Sequence, residues 1–182
     1  MNLREYLKKM GGTTRGSPPR VSNEEMLWSW IGAFLGISAV AWASHLFLAG
    51  LDRSLMIGSF GASAVLVYGA VRSPLAQPRN LIGGHMLSAI VGVLCWKYLS
   101  GNMWLAESVA VATSIVLMHA TRTLHPPGGA TALIAVIGSP EIHKLGFLYV
   151  IFPATIGPLI LLAVALLVNN IPASRRYPEI WF

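Results

Sequence analysis

Charge is scarce in this sequence, and acid is scarcest. Its 182 residues include 7 Asp and Glu, 13 Lys and Arg and 5 His, so that 11% are charged against 54% hydrophobic. Together with a mean hydropathy of +0.62, this excludes an ordinary soluble domain and makes lipid the solvent. Cysteine is almost absent. Cys95 stands alone in an apolar run, which rules out a disulfide within the chain and reads as a small packing group. Nucleophile-elbow, HExxH, Walker and Rossmann strings are missing. The net charge of +6 does not point to nucleic acid, because Lys and Arg lie in the tail and between apolar runs, with no basic face carrying interleaved aromatics. Those charges read instead as topology signals and anchors to a lipid partner.

What the chain does have is six apolar segments. Residues 26–51 can span a bilayer with tilt and hold Gly32-x-x-x-Gly36, a spacing that admits a close neighbour. Residues 55–71 are short and rich in small side chains. In 81–99, Gly84, Ser88 and Gly92 recur at four-residue intervals and predict a tight helix contact. Residues 104–121 form a fourth span. Residues 128–138 are about half a bilayer long at 1.5 Å per residue. In 145–168, Pro153 and Pro158 predict a kink. If all six segments cross, Arg72, Arg79, Arg122, Arg175 and Arg176 share the side of the basic N-terminal stretch, and the other side keeps Asp52, Arg53, Lys97, Glu141 and Lys144. Re-entrant short segments would put Arg72 and Arg79 on the wrong side of the positive-inside rule.

The expected architecture is therefore an all-α membrane protein with both termini cytoplasmic, built of four long transmembrane helices plus two short or broken ones. Residues 1–25 form a basic tail, 26–99 a first membrane repeat, 104–168 a second, and 169–182 a closing tail. The tail shows no removable targeting peptide. Within it Leu3, Tyr6, Leu7 and Met10 beside Arg4, Lys8 and Lys9 outline a short amphipathic surface helix.

Two strings match by residue class at every position: Gly61-Ala62-Ser63-Ala64-Val65-Leu66 and Gly129-Ala130-Thr131-Ala132-Leu133-Ile134. Each is followed by Ser-Pro, at Ser73-Pro74 and Ser139-Pro140, and each sits in the middle of a long-short-long trio. Three crossings per unit turn the second copy upside down, which is an inverted repeat. The second string follows His125-Pro126-Pro127-Gly128, a helix start in which two prolines occupy the first turn. Such a start attracts anions. The expectation is an anion held between the N-termini of the GASA and GATA helices, with substrate contacts from Ser59, Gly61, Ala62, Ser63, His85, His125, Gly128, Gly129, Ala130 and Thr131.

Ionisable groups inside a membrane are costly and need a role. His125 would stand at the mouth of the second short helix, and His85 could donate to the same cavity or sit at the interface. Arg79, His119 and Arg122 read either as an anion-guiding vestibule or as headgroup anchors, and His45 and His143 as boundary residues. A metal site of His85, His119 and His125 lacks a Cys or carboxylate partner at ligand spacing. No metal or other cofactor is expected.

His125-Pro126-Pro127-Gly128-Gly129-Ala130 resembles the signature of the HPP family of integral membrane proteins. Gly61-Ala62-Ser63-Ala64, the run Ser73-Pro74-Leu75-Ala76-Gln77-Pro78-Arg79-Asn80 and Gly83-Gly84-His85 are similar to its other strings. The likeness runs from about residue 28 to 168. That family is described as having four transmembrane helices, and its chloroplast and cyanobacterial members are associated with nitrite transport. The resemblance implies a non-enzymatic transporter of a small inorganic anion, nitrite or a similar monovalent one. With no transit peptide, the expected setting is a prokaryotic inner membrane. Two other readings stay open: an intramembrane enzyme or cofactor-binding protein using His85, His119 and His125, and a structural subunit whose small-residue faces bind partner helices, a homo-oligomer included.

Overall fold

The computed structural model describes residues 2–12, 16, 17, 19–47 and 53–182. Asp52 and the far end of the 26–51 segment, with Arg15 and Pro18 of the tail, lie outside the described residues. Among those residues all regular structure is helical: α1 (Leu3–Met10), α2 (Asn23–Phe47), α3 (Arg53–Ala64), α4 (Pro78–Leu99), α5 (Met103–Ala120), α6 (Pro126–Ile137), α7 (Pro140–Leu145), α8 (Leu148–Ile151) and α9 (Ile156–Val168). A π turn, Val65–Gly69, extends α3, and a single 3₁₀ turn, Pro74–Ala76, precedes α4.

Four stretches are long and apolar enough to cross a membrane: Asn23–Leu46, Pro78–Leu99, Met103–Ala120 and Leu148–Val168. Their composition is inverted relative to a soluble bundle. Trp30, Phe34, Trp42, Trp104 and Val116 are exposed, while Ser63, His85, Ser88, His125 and Thr131 are buried. Lipid accepts the first set at no cost, whereas polar groups inside a bilayer must find partners within the protein.

Small residues decide the packing. On α4 a β-carbon at Gly84 would stand 2.5 Å from His125 Cβ, and one at Gly92 would meet the Ala132 carbonyl and stand 2.7 Å from Ala135 Cβ. The Gly84-Ser88-Gly92 face is thus the seat of α6. Gly32 and Gly36 of α2 instead make a groove for one aromatic ring, since β-carbons there would overlap Tyr68. The Tyr68 hydroxyl crosses to α9 and donates to the Leu161 carbonyl at 2.9 Å.

Side-chain contacts place one end of the α3 segment and both ends of the α6 segment. The α3 helix and its π turn end beside the strap formed by the C-terminal residues, where Asn169 Nδ2 donates to the Val67 carbonyl at 3.0 Å. From its start near the Leu75 turn, α6 leads into α7, and there His143 stacks on Trp96 with ring centroids 3.5 Å apart. Trp96 lies three residues before the far end of α4. In 145–168 the chain breaks instead of kinking: α8 stops at Ile151 and α9 begins at Ile156. Pro153 cannot continue a helix, and Pro158 is tolerated because it falls in the first turn of α9.

Residues 169–182, expected as a tail, fold back across the bundle. Arg175 joins Glu25 at the start of α2 in a 2.8 Å ion pair and also donates to Ser29 Oγ (2.8 Å) and Asn169 Oδ1 (3.1 Å). The Tyr177 hydroxyl donates to the Ala76 carbonyl at 2.8 Å, and the Glu179 N–H donates to Gln77 Oε1 at 2.9 Å. At the other end α1 forms as expected, closed by a capping box between Asn2 and Glu5, with none of its residues buried.

Candidate functional site

The buried polar residues converge on one cluster between α3, α4 and α6. Ser63 Oγ lies 2.8 Å from His85 Nε2 and 2.9 Å from His125 Nε2. His85 Nδ1 lies 2.6 Å from Thr131 Oγ1, and His125 Nδ1 lies 2.7 Å from the Leu75 carbonyl oxygen. Ser63, His85 and His125 are 0% exposed and Thr131 is 1% exposed, so water does not share these bonds.

Sequence position explains each placement. Ser63 and Thr131 are the third residues of the two matching strings, and they grip opposite nitrogens of the same imidazole. His85 follows Gly83-Gly84, whose missing side chains let α6 and the turn before it come close: a β-carbon at Gly83 would meet the Thr123 side chain. His125 is the N-cap of α6. Its turn is held by Arg79, which donates to the Thr121 carbonyl at 2.7 Å, and by Asn80, which donates to the Leu124 carbonyl at 2.8 Å. Phe60 covers His85 with ring centroids 5.6 Å apart. On its other side it lines an apolar cavity of about 260 Å³ with Val40, Phe152 and Gly157.

Two expectations about this site are corrected. Gly61 and Ala62 do not begin a helix. The N-terminus of α3 is at Arg53, and no proline interrupts 53–64, so the helix runs through the string and uses its N–H groups internally. The start of α6 offers fewer donors than its shape suggests. Pro126 and Pro127 have no N–H, and the Gly128 N–H donates to the His125 carbonyl at 2.8 Å. Gly128 is also filled ground, because a β-carbon there would lie 2.8 Å from Ser88 Oγ. What the two strings bring together is therefore a pair of hydroxyls on a pair of imidazoles, and not two facing helix starts.

Other sequence-predicted residues fall apart from the cluster. His119 and Arg122 are exposed, and His119 does not join His85 and His125. Among the described residues no group of three or more His, Cys, Asp or Glu is placed to hold a metal ion. Ser59 is buried one turn before Ser63, and its carbonyl is 3.1 Å from Ser63 Oγ. Gly129 and Ala130 are half-buried on α6. Sequence reasoning missed the Leu75 carbonyl, because a backbone acceptor carries no residue signal. It also missed Tyr149, whose hydroxyl donates to the Thr131 carbonyl at 2.9 Å.

Comparison with known proteins gives a consistent picture. The family model described as "HPP, transmembrane region" matches residues 18–178. Two transmembrane proteins of Dictyostelium discoideum are similar to this chain. One is 44% identical over 181 residues, covering 98% of this chain and 58% of its own length. The other is 43% identical over 186 residues, covering all of this chain and 65% of its own length. The chain thus spans about three-fifths of the length of these curated relatives. No solved structure matches.

Proposed function

The chain belongs to the HPP transmembrane family, and from that premise we propose that it carries a small monovalent anion across the membrane, nitrite being the ion that the sequence resemblance implies. One observation supports this reading above the rest. The buried cluster holds two imidazoles and two hydroxyls in mutual hydrogen bonds, and no carboxylate takes part in them. Such a set is neutral at rest and turns cationic when a proton joins it. In a bilayer that charge needs a counter-charge, and an anion supplies it. Ser63, His85, His125 and Thr131 would contact the ion, and the half-buried Gly129 side of the α6 start would lie near its path. Arg79 serves by fixing the turn that carries His125.

The positive-inside rule orients the chain. Arg72, Arg79, Arg122, Arg175 and Arg176 fall on the side of the chain ends, which we therefore assign to the cytoplasm. A prokaryotic inner membrane is the setting proposed from the sequence; the named relatives come from Dictyostelium discoideum. The inverted repeat belongs to the same proposal: Ser63 and Thr131, at equal positions in the two strings, meet His85 from two sides.

Purified protein in liposomes tests the reading. Nitrite should enter down its gradient faster than in protein-free vesicles, and His85→Ala should remove that excess. Entry at the protein-free rate would overturn it. A second reading, an intramembrane enzyme, rests on Ser63 lying within hydrogen-bond reach of two candidate bases. Covalent capture of Ser63 by a serine-directed phosphonate would favour that alternative.

A further inference from the structure

We infer that Thr131, His85, Ser63 and His125 form a polarised proton path, so that the anion moves together with a proton; the inference rests on the transport reading above and adds its coupling ion. Polarity follows from a single fixed end. The Leu75 carbonyl can only accept, so at 2.7 Å the Nδ1 of His125 must carry the hydrogen. In a neutral imidazole Nε2 is then a bare acceptor, and Ser63 must donate to it at 2.9 Å. Having spent its one hydrogen there, Ser63 forgoes the 3.1 Å back-bond to the Ser59 carbonyl and accepts from His85 Nε2–H at 2.8 Å. His85 Nδ1 is then bare in turn and takes the Thr131 hydroxyl hydrogen at 2.6 Å, in preference to the 3.4 Å contact of that hydroxyl with the Pro127 carbonyl. With both rings neutral, no other assignment avoids two acceptors facing each other.

Thr131 is buried, so a proton enters only when the protein opens there to water; supplied then by hydronium, it crosses this chain by one hop per bond. The Thr131 hydrogen passes to His85 Nδ1 as the incoming proton replaces it. The Nε2 hydrogen of His85 passes to Ser63, and the Ser63 hydrogen passes to His125 Nε2. Each oxygen gains one hydrogen and loses one, and the positive charge ends on His125, now protonated on both nitrogens. A carbonyl is too weak a base to take it further. Release of the Nδ1 proton to water therefore requires the Leu75 carbonyl to withdraw. Once the proton has left, the bare Nδ1 would face that carbonyl oxygen, which again requires the turn to move. The 73–77 turn is thus the release step, and the strap that holds its Ala76 and Gln77 controls it.

Among the described residues the groups that meet these rings from the surrounding elements are few. They are Ser63 and Phe60 from α3, Thr131 from α6, the Leu75 carbonyl from the 3₁₀ turn, and each ring for the other, with centroids 5.1 Å apart. Met118 of α5 and Ser88 of α4 border the same α4–α6 seat, and Tyr149 of α8 bonds to the Thr131 backbone. Apart from the two histidines, Tyr149 is the titratable member of this set, and none of its members carries a fixed charge.

Nitrite influx into proteoliposomes at potassium potentials set with valinomycin tests the coupling, with the protein-free rate subtracted. One proton per anion makes transport electroneutral, so influx should not change with potential and should rise with an inward proton gradient. Influx that follows the potential overturns the inference while leaving anion transport intact. An absence of influx at every potential overturns the transport reading itself. Ser63→Ala cuts the chain and should lower proton-driven influx about a hundredfold, whereas Ser63→Thr, which keeps the hydroxyl, should restore it. Should either variant fail to fold, ¹⁵N spectra of the wild-type protein decide the polarity: His125 must carry its hydrogen on Nδ1 and His85 on Nε2. The opposite tautomer at either ring overturns the path.

Discussion

Gly128 at the start of α6 lies so close to Gly84 of α4 that a β-carbon on it would stand 2.8 Å from the Gly84 carbonyl oxygen. This contact sets the depth at which His125 meets Ser63. Gly128→Ala and Gly84→Ala should each cost about 1–3 kcal/mol through overpacking, read as a lower unfolding midpoint in detergent. Gly61→Ala should cost nothing and gain about 0.5–1 kcal/mol, because its β-carbon meets no atom within 4 Å and the residue lies inside a helix. Equal losses at all three positions would show that close approach is not what these glycines supply.

His85 and His119 separate cluster from surface. His85→Ala leaves the Ser63 and Thr131 hydroxyls short of a buried partner, a loss of about 1–3 kcal/mol for each unsatisfied group, and should abolish anion influx. His119→Ala, at an exposed site on α5, should change neither stability nor influx. Loss of influx in His119→Ala would restore the vestibule that sequence alone suggested.

Much of this was legible in the sequence, and the limits have physical causes. The six apolar segments and the α4 small-residue face follow from composition and spacing, and both reappear in the bundle. His85, His125, Ser63 and Thr131 were visible as polar residues in apolar surroundings. The GASA string was misread because Gly, Ala and Ser are frequent inside membrane helices, where they let neighbours approach, and so do not by themselves mark a helix start. The Gly32-x-x-x-Gly36 spacing announced a close neighbour correctly but could not say that an aromatic ring would fill it. Arg175 was read as a topology charge. Only the fold, bringing together residues 150 positions apart, reveals it as a buried partner of Glu25.

Arg175→Ala should lower stability by about 3 kcal/mol, because it leaves Glu25, Ser29 and Asn169 without their shared donor. Glu25 is partly exposed and can recover water, which keeps the loss at the lower end for a broken buried pair. Arg175→Lys should recover only part of it, since an ammonium cannot span the same carboxylate, carbonyl and amide positions as a planar guanidinium. Thermal unfolding of the three proteins in one detergent checks the order. Full rescue by Lys would show that charge alone matters there.

The strap should be tested where it grips the turn beneath His125. The Tyr177 hydroxyl is buried and donates to the Ala76 carbonyl, and burial pushes its pKa up, so it stays a donor through the physiological range. Tyr177→Phe removes that one bond at a cost of about 1 kcal/mol and leaves the ring in place. Local opening of the 73–77 turn should become roughly fivefold more frequent, in proportion to the energy lost. Amide hydrogen exchange at Leu75, Ala76 and Gln77 should speed up accordingly, with α4 and α5 amides unchanged. If exchange accelerates throughout the protein, Tyr177 contributes to global stability instead of holding this turn. If it does not change at all, the Glu179 and Ile180 N–H bonds to Gln77 Oε1 suffice to hold the turn. Gln77→Leu then becomes the substitution that should release it.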